Sequence, residues 1–294
     1  MPPSPTYLPD WAALQQKAHA LLRDTQSAQF LPRLEQLYQE LHGLVQQYPD
    51  ATLFALIHLS ATEMRSYSAT HAMLVYVVCS LAASETLNWS SERDATLGKA
   101  ALTMNISMSA LQDDLVLQTK PLSVAQMEAV EQHAERSCSM LRSMGVSDEN
   151  WLQAVRHHHD RTPGPPASEA LHIARLIQRA DIYAARLSPR LGRLCLPPVA
   201  AAQSDEAGAA LVKTVGLYAP GTLVRLASQE IAAVIRRGIH NTTPQVAVLI
   251  NRQGFPTGEW IVRDTQQSSY KITGHVARRD VRAAVPMEQL LELI

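Results

Sequence analysis

The stretch Met73-Leu74-Val75-Tyr76-Val77-Val78-Cys79-Ser80-Leu81-Ala82-Ala83 constrains this chain most, because it is apolar on every side of a helix. Such a helix has no polar face to turn to water, so it either crosses a membrane or forms the axis of a helical core. The run is too short for a bilayer, which takes about 20 apolar residues. A central buried helix is therefore predicted, with a jacket of amphipathic helices around it.

The sequence supplies that jacket. Leu34, Leu37, Leu41, Leu44 and Tyr48 follow the three-and-four spacing of one buried face. Pro49-Asp50 is expected to end that helix and cap the next. Ser90 or Ser91 with Glu92 reads as a helix start leading to Leu102. Ser123 with Gln126 reads as a capping box for a helix to Met144, closed by Gly145. Asp148 caps a helix carrying Trp151 and Val155, which Pro163-Gly164-Pro165-Pro166 breaks. Ser168 opens a long helix through Asp181 to Leu187.

After Gly216 the pattern changes to short β-branched runs: Thr222–Leu226, Glu230–Arg236, Gln245–Ile250, Glu259–Val262 and Tyr270–Val276. Pro220-Gly221, Pro244, Gly254 and Gly258 separate them. The reading is a mainly α chain: an N-terminal helical segment over 1–65, a helical bundle over 66–215, and a small antiparallel β subdomain over 216–294 with a final helix from Pro286. The linker at Leu196-Pro197-Pro198 and the Ala-rich stretch after it are weakly specified.

Composition narrows the function classes. A formal net charge of -1 over 294 residues gives no sign of a general DNA or RNA binder. The start Met1-Pro2-Pro3-Ser4-Pro5 lacks the basic-then-apolar pattern of a signal peptide. Cys79, Cys138 and Cys195 are an odd, widely spaced set in apolar settings, which points to reduced thiols in a cytoplasm, and the shortness of the Met73–Ala83 run points to no membrane insertion.

The chemistry-bearing residues are His157-His158-His159-Asp160, Asp181, and upstream His133 and His71. Imidazoles and carboxylates hold borderline-hard metal ions. Adjacent helical side chains diverge by about 100°. His158 and His159 can therefore converge only at a helix end, which the proline-glycine breaker permits. Each residue also has a plain reading: His71 as a core histidine, His133 as a surface residue, and the triplet as a solvated helix end.

Taken in order, these residues resemble the HD-GYP family, metal-dependent phosphodiesterases of the HD superfamily that open cyclic di-GMP. The resemblance runs from Tyr67 to Val234. His71 falls at the family's first metal histidine, with Tyr67 where a glutamate is usual. Lys120-Pro121-Leu122-Ser123 resembles the segment before the middle helix, on which His133 takes the single histidine's place. His158-His159-Asp160 resembles the His-His-Glu motif, and Ala180-Asp181-Ile182-Tyr183 the Ala-Asp-x-Tyr motif, in which the aspartate is a metal ligand. Tyr218-Ala219-Pro220-Gly221-Thr222-Leu223 resembles the signature entering the C-terminal sheet. The resemblance implies an HD-type helical bundle, a metal pocket of His71, His133, His158, His159 and Asp181, and association with signalling proteins such as a diguanylate cyclase.

The departures are as informative. Met104 and Asn105 stand where the family has its His-Asp pair, Met108 replaces the following lysine, and the Gly-Tyr-Pro loop is degenerate. A thioether is a poor ligand for hard ions, and a neutral amide supplies no bridging charge. Two nearby dications repel unless an anionic oxygen lies between them. One divalent ion (Zn, Mn or Fe) on His133, His158 and His159 is what the residues allow. Asp113-Asp114 is a remote replacement for the lost carboxylate.

Arg156, Arg161, Arg175, Arg179, Arg186, Arg190 and Arg193 crowd one segment, and Arg175, Arg179 and Arg186 share a helix face. That face suits a nucleotide phosphate, or it is a solvated face with local ion pairs. The expected function is a degenerate HD-GYP-like signalling protein, without cyclic di-GMP phosphodiesterase activity, that binds a protein or a cyclic dinucleotide. The alternative is a mononuclear metal phosphohydrolase.

Overall fold

The computed structural model describes residues 9–161, 164–188, 205–238 and 242–294. The proline-rich start, Pro163, Arg190, Arg193, Cys195 and the Leu196-Pro197-Pro198 linker lie outside the described residues.

The chain is mainly helical with a small C-terminal antiparallel sheet, as its patterning predicts. The helices run α1 (Trp11–Arg23), α2 (Phe30–Gln47), α3 (Pro49–Thr62), α4 (Tyr67–Glu85), α5 (Ser91–Thr103), α6 (Ser109–Leu117), α7 (Val124–Ser143), α8 (Glu149–His157), α9 (Glu169–Leu187) and α10 (Glu206–Val215). The strands are β1 (Leu223–Leu226), β2 (Ile231–Arg236), β3 (Gln245–Ile250), β4 (Pro256–Asp264) and β5 (Ile272–His275), followed by α11 (Met287–Leu291). The sheet order is β4-β3-β2-β1-β5, all neighbours antiparallel.

Helix α4 is the axis of the core, buried without interruption from Tyr67 to Ala83. With the turn before it, Met64–Glu85 is long and apolar enough to cross a membrane, longer than the run read from the sequence; 94% of its most apolar window is buried inside the fold. Each fully buried Val, Leu or Met on it contributes about 1.5–3 kcal/mol. The other helices pack around it with their apolar stripes, including Leu34, Leu37 and Leu41 of α2.

Local signals set the boundaries near the site. Ser123 and Gln126 form the reciprocal capping box at the start of α7. Ser90, Asp148 and Ser168 each accept a backbone N–H at the N-terminus of α5, α8 and α9. The expectation for Asp50 fails: α3 starts without a side-chain cap. The Asp50 carboxylate instead meets Arg237 Nε at 2.6 Å, and Arg237 also bonds Glu85 and the Thr214 carbonyl. That guanidinium ties the end of β2 to α3, α4 and α10.

One face of the sheet, with Leu223, Ile231, Ala233, Ile235, Ala247 and Leu249, joins the helical core. The other buries Val224, Leu226, Ala232, Val234 and Val246 in a small cluster of its own. At Gly221, φ is +94°, and a side chain there would collide with Phe54 and Ile57 of α3. Only glycine lets the chain enter β1 this close to the helix.

Candidate metal centre

Helix α8 stops at His157, and His158 sits just past it with φ -68° and ψ -7°. This helix end lets two adjacent histidines turn toward the same point, and α7 brings His133 to meet them. His133 Nε2 lies 3.2 Å from His158 Nε2 and 3.2 Å from His159 Nε2. One ligand atom from each of the three falls within 4.8 Å of the others. The plain reading of His133 as a surface residue fails, because it is buried; in the triplet His158 is buried, His157 half-buried and His159 exposed.

The tautomers are set from behind. His133 Nδ1–H donates to the Val130 carbonyl at 2.5 Å, and His158 Nδ1–H donates to the Val155 carbonyl at 2.6 Å. Each bond leaves the Nε2 lone pair facing the centre, the second-layer arrangement that orients metal-binding imidazoles. Burial, together with His159 and His133, pushes the His158 imidazole down to about 3, against the opposing Val155 bond and Asp181. Burial also lowers His133, helped by His159 and opposed by Val130 and Asp181. Both rings are neutral at neutral pH, as ligands must be.

The donor set fits a metal ion. A tetrahedron with metal–nitrogen distances of about 2.0–2.1 Å has nitrogen–nitrogen edges of about 3.3–3.4 Å. The two 3.2 Å separations are close to that edge. Two unprotonated lone pairs so close repel each other, so a cation between them relieves a strain that the fold imposes.

Beside this cluster, His71 on α4 faces Asp181 on α9. His71 Nε2–H donates to Asp181 Oδ1 at 2.7 Å, and the Tyr67 hydroxyl lies 3.4 Å from His71 Nδ1. Burial works to raise the Asp181 pKa. The His71 hydrogen bond and the positive potential of His71, His159 and His158 outweigh it and hold the carboxyl well below its usual range. Asp181, His133 and His159 line a cavity of about 380 Å³ with Tyr67, Asn105, Met108, Gln112 and Arg186. His159 also lines a larger cavity of about 1040 Å³ on its other side, with Trp89, Arg161, Arg175 and Arg179.

The other sequence-read residues separate clearly. Met104 is fully buried in the apolar core. Asn105 reaches the cavity, and its Oδ1 and Gln112 Oε1 are buried oxygens without a hydrogen-bond partner among the described residues. Gln112 carried no sequence signal. Asp113 is turned away from the cavity: its oxygens take the Ser68 backbone N–H at 2.7 Å and the Ser68 hydroxyl at 3.1 Å. Asp114 is exposed. Asp160, read as the third member of the histidine motif, turns away to His157 Nδ1 at 2.7 Å. Arg175 and Arg179 both bond Asp205, the N-cap of α10, at 3.1 Å and 2.7 Å. That part of the arginine face holds an ion pair within the fold.

No family model matches the chain, and no solved structure matches it. Among curated proteins, a cyclic di-GMP phosphodiesterase of Pseudomonas aeruginosa is 25% identical over 262 residues, covering 83% of this chain and 62% of the relative. The chain thus spans less than two thirds of that protein's length.

Proposed function

We propose that this chain is a cyclic di-GMP signalling protein of the HD-GYP type that holds one divalent metal ion on His133, His158 and His159 and binds a cyclic dinucleotide without hydrolysing it through a bridged metal pair. The observation that carries this reading is the convergence of three imidazoles, two of them anchored through Nδ1 to backbone carbonyls, beside a half-site with neutral Asn105. The relative that hydrolyses cyclic di-GMP supports the ligand class.

The chain's own residues divide the work. His133, His158 and His159 would hold the ion, leaving at least one position open toward the cavity. A bound ion would supply Lewis acidity toward a phosphate oxygen. His71 keeps Asp181 ionised and in place. Asn105 and Gln112 put neutral amides where a second ion would need anionic oxygen to offset repulsion between dications. A protein that binds and does not cleave acts through a partner, and a diguanylate cyclase or another signalling protein is the class proposed.

A second reading has one observation in its favour: Asp181 lines the same cavity as His133 and His159, so its carboxylate is placed to accept a hydrogen bond from, and orient, a water at a single ion, its lowered pKa making it a weak base. Metal content of protein purified without chelator, combined with calorimetry and a hydrolysis assay on cyclic di-GMP, separates the two. One equivalent of metal with saturable binding and an intact ligand supports binding alone. Turnover that His158→Ala abolishes supports the mononuclear enzyme, and neither metal nor binding removes both.

A further inference from the structure

A cavity of about 270 Å³ lies where the sheet meets the helical core, on other elements than the cluster of His133, His158 and His159. Ile57 and His58 of α3, Arg186 of α9, Thr222 before β1 and His275 of β5 line it, with Arg278 just beyond. Other half-buried cations of the fold are matched by carboxylates: Arg237 by Asp50 and Glu85, Arg263 by Glu230, Arg179 by Asp205. Arg278 is not. Its Nη1 donates to the Val281 and Ala283 carbonyls at 3.2 and 3.3 Å, and it forms no ion pair among the described residues.

The imidazoles of the cavity have unused capacity as well. His58 stacks on Phe54 with ring centres 6.4 Å apart, and its ring makes no hydrogen bond among the described residues. His275 leans on Tyr218, and its Nε2 has no partner among them either. Burial pushes the His58 imidazole down, the Arg278 charge adds to this, and Glu288 opposes it. Asp280, the carboxylate on the wall, is exposed and lies 3.9 Å from Arg279. Positive charge is thus in excess inside. A guanidinium fork suits a phosphate, whose oxygens accept several charge-assisted bonds. The volume is just under the range of about 300–1,000 Å³ for drug-sized ligands, so the occupant is small.

We infer that this cavity binds a small phosphate-bearing ligand through Arg278, His58 and Arg186, and that its occupancy reaches the metal centre through Arg186. Arg186 lines both this cavity and the one that Asp181, His133 and His159 share, and no other residue named on the two walls is common to both. An anion here draws the guanidinium away from the metal cavity, which lessens the repulsion of a dication. Anion and metal then strengthen each other's binding by the same factor. The ligand site stands without the metal; the link rests on the metal reading proposed above.

Inorganic phosphate is the probe, and the imidazole proton signals of His58 and His275 report the cavity itself. In metal-free full-length protein, phosphate should shift both signals saturably, and acetate should do little at equal concentration. Arg278→Gln should weaken that binding about tenfold, and Arg278→Lys, which keeps the charge without the fork, by less. Zinc affinity, measured by competition with a chelating dye, should rise about fivefold with phosphate in the unmodified protein and stay unchanged in Arg278→Gln. Signals that do not move, an equal response to acetate, or phosphate affinity that survives Arg278→Gln would overturn the site. A rise in zinc affinity that survives the substitution would put the phosphate on the metal and break the link. Absence of zinc binding would remove the link and the metal reading together, while the shifts at His58 and His275 would still decide the cavity.

Discussion

His71 Nε2 and Asp181 Oδ1 lie 2.7 Å apart, joining the central helix to α9 across 110 residues of sequence. The imidazole is almost wholly buried, and the carboxylate opens on the cavity. Removing the donor leaves a partly desolvated charge without its partner. His71→Ala is expected to lower stability by about 2 kcal/mol, less than a fully buried pair would cost. Because the folded Asp181 pKa is depressed, its stabilisation is present above the unfolded value of 3.8 and is lost as pH falls through the folded one. The variant should therefore titrate Asp181 at higher pH in a carboxyl-carbon NMR experiment with chelator present. An unchanged titration would mean that the pair does not hold the charge.

The buried His158 makes the metal-free protein acid-sensitive. Its folded pKa of about 3 lies below the unfolded value of 6.5, so the unfolded chain takes up the proton first as pH falls. This penalty is absent above 6.5, and two units below it amounts to about 3 kcal/mol. Urea denaturation in chelator should show that loss between pH 6.5 and 4.5. His158→Gln, which does not titrate, should flatten it.

What could be read from the sequence was mostly local. The Ser123–Gln126 box and the caps at Ser90, Asp148 and Ser168 act within one turn, so spacing alone finds them. The burial of α4 was equally plain, because a helix apolar all round has few places to go. Asp50 misled the reading because its partner, Arg237, is 187 residues away and leaves no local trace. Helix α10 was missed since Glu206-Ala207-Gly208-Ala209-Ala210 has a weak stripe, and its cap Asp205 is recognised by arginines 26 and 30 residues earlier. The meeting of His133 with His158 and His159 followed from family order and not from spacing. The orphaned Gln112 oxygen had no precursor in either.

Asp205 combines two roles that substitution can separate. It caps α10 through the Gly208 N–H at 3.0 Å and accepts charge-assisted bonds from Arg175 and Arg179. Asparagine keeps a good cap and loses the charge, whereas alanine loses both. Asp205→Asn should cost about 1 kcal/mol and Asp205→Ala about 2 kcal/mol in chemical denaturation. Equal costs would show that the cap contributes nothing beyond the ion pairs.

The proposed absence of a His-Asp pair at positions 104 and 105 can be tested one residue at a time, since the structure gives the two positions different surroundings. Met104 is packed in the apolar core, so Met104→His forces a polar ring into it and should lower stability by about 2 kcal/mol without adding a metal. Asn105 already lines the cavity, and its Oδ1 is buried without a hydrogen-bond partner among the described residues. Asn105→Asp therefore places an anionic oxygen beside Asp181 and the imidazoles with little change in volume. In metal-free protein, the new carboxylate sits near an ionised one, and its pKa should rise. In manganese-supplemented buffer, that same proximity should lift the metal stoichiometry from one toward two per chain, read by elemental analysis and by magnetic coupling in the electron paramagnetic resonance spectrum. One ion per chain in both proteins would place the obstacle to a second ion elsewhere than Asn105.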